Sequence, residues 1–234
     1  MFTRDTLDFL FNVRINDSKE WFESHREEYE RYLLEPFRQL VEAVGEPLLA
    51  LDSEFVIQPK ITRTISRIYR DTRFSADKSK YRDSMWLTIQ RDKKLYPQYP
   101  GFFFEINPRM AWWGCGMYLY DSATAESFRG MVLRRDPLFV EMERAFDSQS
   151  TFVLDDSDVY KRSKYPGEPP ELRRWLDRRS LYLAHTRENP EDAFGEGLAE
   201  RLNEEFKLLY PLYSCLTEVC ARRITPERVR TRGV

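Results

Sequence analysis

The residues best suited to do chemistry lie between Lys60 and Asp83, in the run KITRTISRIYRDTRFSADKSKYRD. This stretch holds eight of the chain's 37 cations and three of its 39 acids, so it is net +5 inside a body of net −7. Five of the eight cations are arginines: Arg63, Arg67, Arg70, Arg73 and Arg82. A guanidinium fork binds phosphate or carboxylate through two parallel hydrogen bonds, which an ammonium cannot do, so this bias favours oriented anion recognition. Thr72, Ser75 and Ser79 add hydroxyl donors. The expected ligand contacts are Arg67, Arg70, Arg73, Lys78 and Arg82, with Asp71 and Asp77 orienting the arginines.

Three readings of this segment compete. In the preferred one it binds an anionic small molecule bearing phosphate or carboxylate. In the second, Asp71, Asp77, Glu20, Glu23 and other acids pair with the arginines, and the loop is an internal ion-pair clamp in a structural or protein-interaction module. In the third, Asp71, Asp77 and Glu105 support a metal-assisted phosphoester reaction. Nucleic acid is a narrower form of the first, since Tyr69, Phe74, Tyr81 and Trp86 are interleaved with the cations and bases stack on aromatics. Against it, the sequence pI is about 5.9 and no nucleic-acid-binding signature is present.

Other candidates have plainer explanations. His25 lies among Glu23, Arg26, Glu27 and Glu28, and His185 follows a short apolar run; neither has metal-spaced neighbours, so no metal or cofactor is expected. Asp155-Asp156-Ser157-Asp158 lacks the glycine and terminal glutamate of a calcium loop and reads as a solvated turn. Gly114-Cys115-Gly116 is followed by a strand pattern, so its glycines suit a bulge or close backbone approach better than a dinucleotide. Cys115, Cys215 and Cys220 read as reduced, semi-buried thiols of a cytoplasmic protein.

The elements that must position the basic segment follow from periodicity. A short helix is expected over Thr3–Phe11, then a second opening with Asp17 as cap and Glu20 returning the bond. Pro36 starts or kinks a further helix to Leu51. Period-two alternation then predicts a strand with Ile61, Arg63, Ile65, Arg67 and Tyr69 on one face. Further strands are expected at Met85–Arg91, Gly101–Asn107 and Ala111–Tyr120, with shorter ones at Thr151–Leu154 and Ser180–Ala184. Helices are expected from Asp121 or Ser122 to Arg134, from Pro137 to Phe146, around Leu172–Asp177, and over most of Pro190–Arg222, with breaks at Gly195–Gly197 or Pro211. A signal peptide is not expected, because MFTRDTLDFLF carries acids in its apolar run and no small-residue cleavage site. No apolar run approaches the roughly 20 residues of a membrane span. The reading is one α+β domain over 1–225 with a short polar tail at 226–234. Its antiparallel sheet of four or more strands is packed by N-terminal helices and a long C-terminal helix.

Four blocks carry a family resemblance: NDSKEWFESHREEYE, RIYRDTRFSADKSKYR, FFFEINPRMAWWGCGMYLY and KRSKYPGEPPELRRWLDRRSLYL. In order and spacing the chain resembles the bacterial and fungal family catalogued as domain of unknown function 2461. The resemblance implies a single α+β domain and carries no activity, substrate or catalytic residue to transfer. The chain departs from the family pattern at Lys80, where proline is usual, and at Cys115, where glycine is usual. It also reads Glu168-Pro169-Pro170 in place of an Asp-His-Pro-like run.

Overall fold

The structure is a computed structural model, and it describes residues 1–117, 121–156 and 158–223. The first helices are α1 (Arg4–Asn16), α2 (Lys19–Ser24) and α3 (Arg26–Tyr29). A π-helical turn at Glu30–Leu34 leads into α4 (Glu35–Leu51). Pro36 falls in the first turn of α4, directly after the π-helical turn, and Tyr32 O, four residues before it, accepts from the Thr6 hydroxyl at 2.8 Å instead. Then come β1 (Met85–Gln90), β2 (Gly101–Ile106), β3 (Ala111–Met117), α5 (Ser122–Leu133), α6 (Pro137–Asp147), β4 (Val153–Leu154), α7 (Pro170–Leu176) and β5 (Leu181–Arg187). A 3₁₀ turn at Pro190–Ala193 precedes α8 (Leu198–Lys207) and α9 (Tyr210–Arg223). The five strands form an antiparallel sheet in the order β1-β2-β3-β5-β4. The α+β class is therefore as expected, and the expected tail lies outside the described residues, as do the last residues of the strand expected to reach Tyr120.

The chain divides into two compact units, Met1–Ile89 with Phe102–Trp113 and Thr186–Glu204, and Gln90–Gly101 with Gly114–His185 and Glu205–Val234. In the first, Phe2 and Phe37 from the N-terminal helical region meet Phe104 of β2, at 5.5 and 6.2 Å between ring centroids. Leu10, Val13, Leu33, Val41, Val44 and Leu87 are buried with them. In the second, α9 packs on α5 and α6, and α5 on α7, around Trp175, Phe139, Phe128 and Val219.

Three local expectations change. Ser18, not Asp17, caps α2, accepting from the Trp21 N–H at 3.0 Å. Asp17 instead closes α1 in the left-handed conformation (φ 42°), its N–H bonded to Val13 O. Residues 61–70 are not a regular strand: Ile65 pairs with Leu87 and Tyr69 with Tyr81 only as isolated bridges. The cause is a tight loop in which Thr62, at φ 69°, donates to Ile65 O, and both Arg63 and Ile65 donate to Lys60 O. Thr64 and Ile65 are then both buried, which strict alternation forbids. The helix expected over most of Pro190–Arg222, open to a break at Gly195–Gly197 or at Pro211, is divided at both into α8 and α9. Gly195 (φ 90°) breaks the chain before α8, and Pro211 sits in the first turn of α9, where proline is tolerated. Among the described residues no helix is long and apolar enough to cross a membrane.

Candidate functional site

The basic segment is held in the first unit by three kinds of contact. Asp17 Oδ1 accepts the backbone N–H groups of Lys80 and Tyr81, at 2.6 and 3.0 Å. Arg14 of α1 donates to Asp77 Oδ2 at 2.7 Å. Tyr69, Tyr81 and Phe22 of α2 pack ring against ring, with centroids 4.9 to 5.5 Å apart. Backbone bonds fix the rest: Arg70 N–H to Lys80 O, Arg82 N–H to Ile68 O and Ser66 N–H to Trp86 O.

Within this frame the candidate ligand contacts separate. Arg73 is exposed and forms a two-point pair with Asp71, at 3.0 Å from Nε and 2.6 Å from the terminal nitrogen. That pairing holds the Asp71 carboxyl down at about 2. Lys78 Nζ donates to Thr72 O at 2.9 Å. Asp77 is likewise held at about 2, first by the hydroxyl and N–H of Ser79 and then by the charges of Arg14 and Arg70. Arg70 lies 3.2 Å from Asp77 Oδ2, with its side chain 24% exposed. Arg67 is exposed and has no ion pair among the described residues.

Arg82 differs from the others. Its guanidinium stacks on Trp86, 4.8 Å from the ring centroid. Burial, and then the positive charge of Arg70, lower its pKa, while Glu105 on β2 opposes them. Burial raises the Glu105 carboxyl, opposed in part by Ser84 and by the Arg82 charge. The Nε atoms of Arg70 and Arg82 are both buried and have no hydrogen-bond acceptor among the described residues. Phe74, at the tip of the loop, is 96% exposed.

The geometry thus brings Arg70 and Arg82 into one electrostatic neighbourhood and draws Arg73 and Lys78 into bonds within the loop. Sequence reasoning missed Arg14 and the acceptor role of Asp17, because neither partner is local. It named Glu20 and Glu23 as clamp acids; Glu23 pairs with Arg26 instead, at 3.3 Å. The metal reading finds its two aspartates already engaged by Arg73, Ser79 and Arg14. No group of three or more His, Cys, Asp or Glu suited to a metal occurs among the described residues.

Other singled-out residues have structural partners. The acidic turn is tied down in the second unit: Arg178 reaches Asp156, Arg179 reaches Asp158, and Tyr182 donates to Asp155. His25 stacks on Trp21 with ring centroids 4.0 Å apart. His185 Nδ1 lies 2.7 Å from Glu205 Oε2. A Cβ on Gly114 would fall 2.0 Å from Leu183 O, and one on Gly116 would fall 2.3 Å from Leu181 O, so these glycines allow the close strand approach expected of them.

No curated protein matches the chain. A family model described as "Conserved hypothetical protein (DUF2461)" matches residues 5–214, which include the whole basic segment and its helical frame. The chain belongs to that family.

Proposed function

We propose that the first unit binds an anionic ligand, bearing phosphate or carboxylate, through Arg70 and Arg82 with Arg67 at the rim. The observation that carries this reading is the pair of buried guanidinium N–H groups, on Arg70 and Arg82, that have no acceptor. A buried donor left unmade costs about 1–3 kcal/mol, and an oxyanion supplies the missing acceptors together with the missing charge. The lowered pKa of Arg82 beside Arg70 supports it, since an anion between them relieves both the burial and the repulsion. Asp77 positions Arg70, and Arg73 and Lys78 shape the loop by contacts of their own.

The clamp reading describes a different part of the same segment. Asp17, Arg14 and the Phe22–Tyr69–Tyr81 rings hold the loop to α1 and α2 and leave Arg67 and Arg82 without an ion pair among the described residues. Clamping therefore fixes the loop, and binding uses what the clamp leaves over. Nucleic acid fits less well, because only Phe74 is a fully exposed ring in the segment. A cytoplasmic setting accords with three buried cysteines that form no disulfide among the described residues.

Calorimetric titration with phosphate, sulfate and nucleotides tests the proposal. Arg70→Gln and Arg82→Gln are expected to weaken binding about tenfold or more, the size of a charge-assisted hydrogen bond, while Arg73→Gln leaves it nearly unchanged. Equal binding by Arg82→Gln and the parent chain overturns the assignment. No binding by a folded parent chain returns the segment to a purely structural role.

A further inference from the structure

The second unit buries a positive charge that forms no ion pair among the described residues. Arg129 of α5 is 8% exposed. Its Nε donates to Leu176 O and one terminal nitrogen to Arg178 O, both at 2.9 Å. Those carbonyls satisfy hydrogen bonds and leave the charge unneutralised. The guanidinium carbon lies 5.6 Å from the centroid of the Tyr160 ring, and Lys164 Nζ lies 4.0 Å from the same centroid. Neither Arg129 nor Lys164 has an ion pair among the described residues.

The charged groups around Tyr160 come from three places. Arg129 belongs to α5, Asp158 and Lys164 to its own loop, and Asp177 and Arg178 to the segment after α7. Of the acids there, Asp158 pairs with Arg179, while Asp177 Oδ1 accepts the Lys164 backbone N–H at 3.1 Å and makes no ion pair with the Lys164 ammonium among the described residues. Arg178 already pairs with Asp156. Two cations therefore converge on one phenol with no anion between them. The Tyr160 hydroxyl is lowered from its ordinary range, first by hydrogen bonding from Lys164 and, against burial, by that from Arg129, with the two positive charges adding to it.

We infer that Arg129, Tyr160 and Lys164 form a binding site for a tetrahedral oxyanion, the phosphate group of a small phosphorylated molecule being the class that fits. Carboxylate is the poorer fit because its preferred partner is the two-point guanidinium edge, and here backbone carbonyls already occupy the Nε–Nη2 edge of Arg129. What remains is the far end of that guanidinium, one ammonium and one phenol O–H. These donors sit on three different groups, matched to oxygens that point in different directions. When the anion binds, the phenol must stay protonated to donate, so binding and the ionisation of Tyr160 oppose each other.

The test follows tyrosinate absorbance of the full chain against pH, with sulfate, acetate or neither. Sulfate serves because its charge is constant over the range. One tyrosine is expected to ionise below the others and to vanish in Tyr160→Phe. Sulfate is expected to raise its midpoint, acetate to raise it far less, and Lys164→Gln to weaken the sulfate response about tenfold or more. Arg82→Gln, in the other unit, is expected to keep that response. The inference falls if no tyrosine ionises early, if sulfate leaves the midpoint unmoved, if acetate matches sulfate, or if Lys164→Gln behaves as the parent.

Discussion

Asp17 does two jobs with one residue. Its left-handed backbone ends α1, and its carboxylate accepts two N–H groups from a segment more than sixty residues away. Asp17→Ala strands both donors and is expected to cost about 1–2 kcal/mol in denaturant unfolding, as loss of a helix cap does. Asp17→Asn keeps an acceptor and tolerates the same φ, so it costs less; equal losses in the two variants contradict the acceptor role. Asp77 gives a pH signature. Its folded value, about 2, lies below the ordinary 3.8, so its stabilisation is complete above about pH 4 and is lost as pH falls towards 2. The stability gap between the parent chain and Asp77→Asn is expected to close over that window, read by unfolding at stepped pH. The cationic character of the segment was legible from residue types alone. Which cations would be left without acceptors was not, because that depends on the distant Asp17 and Arg14 and on burial against Trp86.

At the level of elements, periodicity located the sheet and most helices well. It failed at residues 61–70, where positive φ at Thr62 and the bonds back to Lys60 replace a strand with a loop. β-branched residues there had the right composition, but Thr64 spends its hydroxyl on Val56 O and Gln58 N–H, and this buries it beside Ile65. The breaks in the C-terminal helical region were legible, because Gly195 and Pro211 are residues that interrupt a helix, and α8 and α9 begin just beyond or at them. Gly114 and Gly116 were legible as places of close approach. Gly116 combines φ 149° with backbone of β5 at 2.3 Å from any Cβ, so Gly116→Ala is expected to cost about 3 kcal/mol or more by both backbone strain and overpacking. An unfolding midpoint near that of the parent chain would show that β3 and β5 can part there.

The whole chain is net −2, yet its cations are unevenly distributed, and that unevenness was the most informative thing in the sequence. The strand order β1-β2-β3-β5-β4 was not readable, since nothing local tells β5 to insert beside β3. All three cysteines are buried, and none forms a disulfide among the described residues. Burial pushes the Cys115 thiol up, and Cys215 up to about 12, so neither offers a thiolate near neutrality. Alkylation of the native chain is therefore expected to be slow at every cysteine and to reach three per chain only on unfolding; rapid native labelling refutes this. The bare ring of Phe74 has a practical consequence. It offers a protease with aromatic preference its first cut, at the tip of a hairpin whose two arms are tied below by Asp17 and the tyrosine rings. Chymotrypsin is expected to nick there before anywhere else among the described residues and leave two fragments that stay together. A molecule that orders the loop will slow the nick, which turns digestion time into a label-free screen for whatever the arginines hold.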